Sequence, residues 1–180
     1  MISSSVPKIT STPRFSFALI VIGWLVFVLD RLSKEFVLQR LPLIDSAFYN
    51  YPYGGIGIFE NWGGVEFSIN YTTNAGAAWG IFNSYPHGLI ALRIVLIAIL
   101  TIYLLYFNID TLFRIPMTMI IAGAMGNILD FFLYGHVIDM FHVVLWGYDF
   151  PVFNVADSAI TLGVFAIFCL SWRNRIVNNA

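Results

Sequence analysis

The segment PVFNVADSAITLGVF, residues 151–165, places a carboxylate, Asp157, at the start of a long apolar run. A second aspartate, Asp139, lies in YGHVIDMF, residues 134–141, where the preceding apolar run ends. A charged side chain at membrane depth costs several kcal/mol, so an ionisable residue there indicates a functional site. Like charges a few ångströms apart do not both ionise cheaply, and a carboxylate pair can therefore share one proton. The two segments predict an acid pair at one membrane face.

The composition is typical of a membrane protein. Of the 180 residues, 59% are hydrophobic and 11% are charged, whereas a soluble domain carries about 25% charged residues. A net charge of −1 without a basic stripe excludes nucleic acid as a partner. The single cysteine, Cys169, lies inside an apolar run, which excludes a disulfide framework and a cysteine-based zinc site.

Four stretches are long and apolar enough to cross the hydrocarbon as helices, which takes about 20 residues each. They cover about residues 15–38, 88–107, 115–140 and 153–172. The first also resembles a signal peptide, but no small-residue cleavage site follows its apolar part. We therefore expect an α-helical integral membrane protein with four transmembrane helices, forming a single domain over residues 1–180.

The largest segment outside these runs, about residues 40–87, is rich in glycine, aromatic and β-branched residues. Within it VEFSINY, residues 65–71, alternates apolar and polar side chains as a strand does, and Gly63-Gly64 before it indicates a turn. We expect this segment, between the first and second helices, to form a small extracytoplasmic β-sheet on the outer membrane surface.

The distribution of positive charge predicts the topology. An even number of spans puts both termini on one side, together with Lys8, Arg14, Arg114, Arg173 and Arg175. The other side holds Arg31, Lys34 and Arg40. Because short cytoplasmic segments carry an excess of Lys and Arg, this count favours cytoplasmic termini. The acid pair would then face the outer side of the membrane.

Three of the apolar runs each carry a polar pair at helical spacing, which places both members on one helix face. The pairs are Asp30 and Lys34, Asn127 and Asp130, and Asn154 and Asp157. One interpretation is that these residues only hydrogen-bond between packed helices. Their occurrence at about the same depth in three helices favours a shared polar site.

In five motifs the chain resembles the lipoprotein signal peptidases, also called signal peptidase II, which are aspartic membrane enzymes of bacteria. The matching segments follow in the family's order from the first span to the last. They are DRLSK (30–34), TTNAGAAWGIF (72–82), GAMGNILD (123–130), YGHVIDMF (134–141) and FNVADSAITLG (153–163).

The resemblance implies that Asp139 and Asp157 are the catalytic aspartates of an endopeptidase in the bacterial cytoplasmic (inner) membrane. It also implies a substrate, a prolipoprotein that carries diacylglycerol on a cysteine and is cut just before that cysteine. The positions that match supporting residues of the family are Asn74, Asn127, Asn154, Asp30, Lys34 and Asp130.

One position departs from the family's pattern. An arginine usually follows the aspartate of the G-N-x-x-D motif, where this chain has Phe131. Arg93 is the only charge in the second apolar run and matches an arginine often found in that helix. We expect Arg93 to pair with Asp130, with Lys34 as the second candidate.

The chemistry expected of the acid pair is activation of water. One ionised aspartate acts as general base while its protonated partner donates to the substrate carbonyl, and no cofactor is needed. A metal site at His136, Asp139 and His142 is the weaker interpretation, because on a helix ligands three residues apart drift around the surface.

Two other functions stay open. A proton-coupled transporter also places acids within the membrane, although inverted repeats and broken helices are not evident in the sequence. The second alternative is a catalytically inactive homologue that binds lipoproteins. For the enzyme we expect a monomer in contact with membrane lipid.

Overall fold

The computed structural model of the protein describes residues 16–44, 50–74, 86–107 and 109–179. Its elements, in chain order, are α1 (Phe17–Arg40), β1 (Ile56–Trp62), β2 (Val65–Asn74), α2 (Pro86–Tyr106), α3 (Thr111–Tyr134), β3 (Val137–Leu145), β4 (Tyr148–Asp149) and α4 (Val155–Asn179). Helix α3 is the centre of the bundle, because α1, α2 and α4 all pack against it. The sheet lies against the ends of α1 and α3.

Among the described residues, three helical stretches are long and apolar enough to cross a membrane. They are His87–Tyr106, Thr111–Tyr134 and Val155–Val177. Helix α1 is as long as α3, at 24 residues, but four charged residues fall within its positions 30–35. Large apolar side chains such as Trp24 and Phe165 are more than 60% exposed on the helices, as expected of surfaces that contact lipid. The architecture is that of a membrane protein with three or four spans.

The third apolar run is not helical to residue 140, and the predicted helix 115–140 was wrong at this end. Helix α3 ends at Tyr134, where Gly135 takes a left-handed φ of 78° and its N–H donates to the Phe131 carbonyl. Glycine is favoured at this cap because it lacks a Cβ. The chain continues as β3, so Asp139 lies on a strand rather than at the end of a helix.

The β-sheet has four antiparallel strands in the order β1-β2-β3-β4. Two strands come from the segment between α1 and α2, as expected, but β3 and β4 come from the connection between α3 and α4. The expectation that the segment 40–87 forms the sheet by itself is therefore wrong. In the register of β2 and β3, Thr72 lies opposite Asp139 and Asn74 opposite Val137.

A small apolar core joins the sheet to the helices. Val37 of α1 is fully buried against Ile138 and Met140 of β3. This contact fixes the position of β3 along the axis of α1, next to the end of α1 that carries the charged residues. Several sequence expectations fall on residues 1–15 and 75–85, which lie outside the described residues. These are the charges Lys8 and Arg14 and the part of TTNAGAAWGIF that follows Asn74.

Candidate active site

Asp157 lies in the first turn of α4 and takes part in the cap of that helix. Its backbone N–H donates to Oδ1 of Asn154 at 2.8 Å, and its own Oδ2 accepts from the Asn154 backbone N–H at 3.4 Å. These reciprocal bonds are those of a capping box. The N-terminal end of a helix also favours a negative charge. The residues that start α4 therefore hold the Asp157 carboxylate in place, and their N–H groups stabilise its negative charge.

Asp139 is only 2% exposed in the centre of the sheet. The Asn154 side-chain amide donates to its Oδ1 at 2.7 Å, and the Asn74 amide donates to its Oδ2 at 3.2 Å. Burial raises the pKa of Asp139 to about 7, with a further contribution from the negative charge of Asp157. Asp139 can therefore keep a proton near neutral pH.

Asn127 of α3 links the acid pair to the charges behind it. Its Oδ1 accepts from the Lys34 ammonium at 3.0 Å and from the Asn154 amide at 3.1 Å. With two donors on the oxygen, the amide nitrogen must point the other way, where it donates to Oδ1 of Asp157 at 2.8 Å. Asn127 thus donates to one aspartate while Asn154 donates to the other.

Behind Asn127, the ammonium of Lys34 is fully buried with three oxygen partners. Asp30 Oδ2 and Asp130 Oδ2 each lie 2.7 Å from its nitrogen, and Asn127 is the third partner. The ammonium thus forms ion pairs with two carboxylates and donates a hydrogen bond to an amide oxygen. Buried charges are tolerated when they are paired and hydrogen-bonded in this way.

Asp30 extends this network to the start of α4. Its Oδ1 accepts from the Ala156 backbone N–H at 2.9 Å, which satisfies one of the free donors at a helix N-terminus. Gly126 of α3 leaves room for this contact, because a Cβ there would lie 2.5 Å from Oδ2 of Asp30. Helices α1, α3 and α4 are thereby joined at one depth.

Asp130 is paired with cations of α1, and the prediction that Arg93 is its partner was wrong. The Arg31 guanidinium contacts Oδ1 of Asp130, and Lys34, the second candidate, contacts Oδ2. The backbone N–H of Ile138 also donates to Oδ2, at 3.3 Å. Both cations that pair with Asp130 therefore come from α1. Sequence analysis missed Arg31 because it was counted among the outer surface charges.

Arg93 nevertheless belongs to the site. Among the described side chains of α2, Arg93 alone lines a cavity of about 610 Å³ together with both aspartates, and its positive charge acts on Asp157 and Asp139. The other polar residues of the cavity lining are Asn74, Asn127, Ser158 and Thr161. The opposite wall is apolar, formed by residues 150–153 and by Ile160 and Leu162 of α4. Ligand pockets of this size and mixed character are common in enzymes.

The described residues contain no group of three or more His, Cys, Asp or Glu side chains that could hold a metal ion. Asp139 and His142 lie on a strand, three residues apart, so their side chains point to opposite faces of the sheet. The ring Nε2 of His142 lies 3.1 Å from Asp149 Oδ1 instead. The argument against a metal site therefore rests on the alternation of side chains along a strand, and not on the rotation of side chains around a helix.

Comparison with known proteins agrees with this geometry. Residues 22–173 match the family described as signal peptidase (SPase) II. Two solved structures of a bacterial membrane enzyme, obtained by the in meso method, are similar to this chain. The first is 25% identical with a TM-score of 0.76, over 89% of this chain and 91% of that one. The second is 27% identical with a TM-score of 0.71, over 87% and 93%. The chain belongs to the signal peptidase II family and is a peptidase of bacterial membranes.

Proposed function

We propose that this member of the signal peptidase II family is an aspartic endopeptidase that removes signal peptides from lipoprotein precursors, with Asp139 and Asp157 as its catalytic residues. The observation that carries this proposal is the pair of carboxylates on one cavity, each held by the side-chain amide of an asparagine. Such a pair needs no cofactor to hydrolyse a peptide bond.

The environments of the two aspartates suggest which one carries the shared proton. The capping box and the N-terminus of α4 favour the charge on Asp157, and burial favours the proton on Asp139. Asp157 then removes a proton from the attacking water while Asp139 donates its proton to the carbonyl oxygen. On collapse of the tetrahedral intermediate, Asp157 donates its proton to the departing amine and Asp139 takes a proton back from a hydroxyl of the intermediate, so that the pair again holds one proton. The pair titrates as a unit, so measured pKa values belong to both residues.

The proposal includes a placement of the protein in the membrane. In this proposal α1 is a fourth span, both termini are cytoplasmic, and the acid pair faces the outer side of the bacterial cytoplasmic membrane. The polar end of α1 and the sheet would then lie at the outer interface. The apolar wall of the cavity suits a substrate whose diacylglyceryl cysteine stays in lipid. Asn74, Asn127, Asn154 and Arg93 would position the substrate and the acid pair. We propose that a monomer is sufficient.

The two other functions are not favoured. Membership of a peptidase family does not support a proton-coupled transporter. An inactive homologue would be expected to lose one of the aspartates or its hydrogen-bond partners, and here Asp139 and Asp157 both keep theirs.

The test is cleavage of a defined precursor by the purified full-length protein in micelles. A diacylglyceryl-modified prolipoprotein should be cut, with the lipidated cysteine as the new N-terminus by mass spectrometry. The same precursor without the lipid, and the Asp139→Asn enzyme, are the controls. Failure to cut the modified precursor, or equal cutting by Asp139→Asn, would overturn the proposal.

A further inference from the structure

Arg31 lies at the boundary between the buried ion-pair network and the outside of the protein. Its guanidinium pairs with Asp130, whose side chain is fully buried, while 19% of the Arg31 side chain is exposed. The other guanidinium nitrogen donates to the Tyr134 hydroxyl at 3.3 Å, and the group lies 5.9 Å from the centre of that ring. Arg31 is therefore held on two sides by α3.

The charge of Arg31 balances the network behind it. Asp30, Asp130 and Lys34 are each fully buried, and by themselves they carry one net negative charge. Arg31 brings the sum to zero. An uncompensated charge in a protein interior is costly. Removal of Arg31 would leave Asp30, Asp130 and Lys34 with one net negative charge, and that charge should change the hydrogen bonds and the protonation of the groups next to it.

Two short paths connect this balance to the acid pair. Lys34 forms ion pairs with Asp30 and Asp130 and donates to Asn127, and Asn127 in turn donates to Asp157. On the second path Asp130 accepts from the N–H of Ile138, the residue that precedes Asp139 on β3. An Asp130 with its charge unbalanced would draw Lys34 away from Asn127 and disturb both paths.

We propose that Arg31 is a positioning residue of this site, which neutralises Asp130 and thereby keeps Lys34 on Asn127 and the acid pair in its working protonation state. The inference rests on the proposed function only in taking Asp139 and Asp157 as the catalytic pair. Arg31 acts through Asp130, and its described contacts include neither Asp139 nor Asp157.

The direction of its effect follows from the charges that face the pair. Asp139 and Asp157 face each other, and the cations that act on them are Lys34 from α1 and Arg93 from α2. Loss of Arg31 leaves the network one unit more negative, which opposes ionisation of the pair. The titration midpoint of Asp139 should therefore rise, by about one pH unit if the charge acts across roughly 10 Å at an effective dielectric constant of about 20.

The experiment measures this midpoint without any substrate. The carbon-13 carboxyl signal of Asp139 is followed against pH in the full-length protein in micelles and assigned by its loss in Asp139→Asn. Arg31→Gln should raise the midpoint, whereas Arg40→Gln, which removes the same charge from an exposed position on the same helix, should leave it unchanged. Equal midpoints in the two variants would overturn the proposal.

Two rescue variants test the route through Asp130 and also serve if Arg31→Gln does not fold. Arg31→Lys keeps the charge, and Arg31→Gln with Asp130→Asn restores neutrality, so both should return the midpoint to that of the wild type. A raised midpoint in both would contradict the route.

Cleavage assays separate this inference from the proposed function. The alkaline limb of the pH profile, which reports loss of the proton from Asp139, should shift with the midpoint. A shifted midpoint in a protein that cuts no lipidated precursor would support the role of Arg31 and refute the proposed function. Normal cleavage with an unshifted limb and midpoint in Arg31→Gln would refute the role of Arg31 alone.

Discussion

The two aspartates are held by different kinds of structure, one local and one long-range. Asp157 is fixed within a single turn of α4 by its reciprocal bonds with Asn154, three residues earlier. Asp139 depends on pairing between β2 and β3, strands that are separated in the chain by two helices, and on Asn74, 65 residues away. The helical half of the site is therefore encoded in a short motif, whereas the strand half exists only in the assembled fold.

The largest effect should come from removing either carboxylate, which tests whether the two halves act as one catalyst. Asp139→Asn and Asp157→Asn should each lower the rate of precursor cleavage at least about 1,000-fold, because each removes one partner of the acid–base pair. The double variant should be little worse than either single one. Appreciable turnover by one single variant would show that the halves work independently.

The next largest effect concerns Lys34, which lies on α1 and supports both the Asp157 half and the Asp139 half of the site. Lys34→Met should destabilise the protein by about 3–5 kcal/mol, because it strands the buried carboxylates of Asp30 and Asp130. Thermal unfolding in micelles measures this loss. Lys34→Met with Asp130→Asn should recover part of it. Arg93→Ala combined with Asp130→Asn is the contrast, and its effects should be additive because Asp130 is paired with α1.

The stability that Asp139, the strand half of the pair, contributes to the fold should decrease between about pH 4 and pH 7. The raised pKa of Asp139 means that its contribution to folding is fully present below the unfolded value, about 4, and is lost as the pH rises to about 7. Asp139→Asn removes this dependence, so its stability relative to the wild type should increase by about 2–4 kcal/mol between pH 4 and pH 8. Unfolding midpoints at the two pH values check the sign, and an unchanged difference would contradict a shifted pKa at this position.

The same division explains how far the sequence alone could predict this protein. Residues three or four apart on helices, such as Asp30 and Lys34, were correctly placed on one face because helical spacing is a local property. The end of α3 was missed, although Gly135 signalled it, because the apolar residues 137–140 fit a helix and a buried strand equally well. The pairing of β2 with β3 and the ion pair of Arg31 with Asp130 are contacts between distant segments, which no local pattern reveals.

The smallest effect compares the two asparagines that donate to Asp139. Asn154 also caps α4 and contacts the Ile138 carbonyl and Asn127, whereas the bond from Asn74 to Asp139 is the longer of the two. Asn154→Ala should therefore cost stability as well as activity, including the roughly 0.5–2 kcal/mol of a lost helix cap. Asn74→Ala should reduce transition-state stabilisation by about 1–3 kcal/mol with little change in the unfolding temperature. Measuring kcat/KM and thermal unfolding on both variants distinguishes the roles. A variant of Asn74 that is unstable but cuts normally would show that its bond to Asp139 serves only to join β2 to the site.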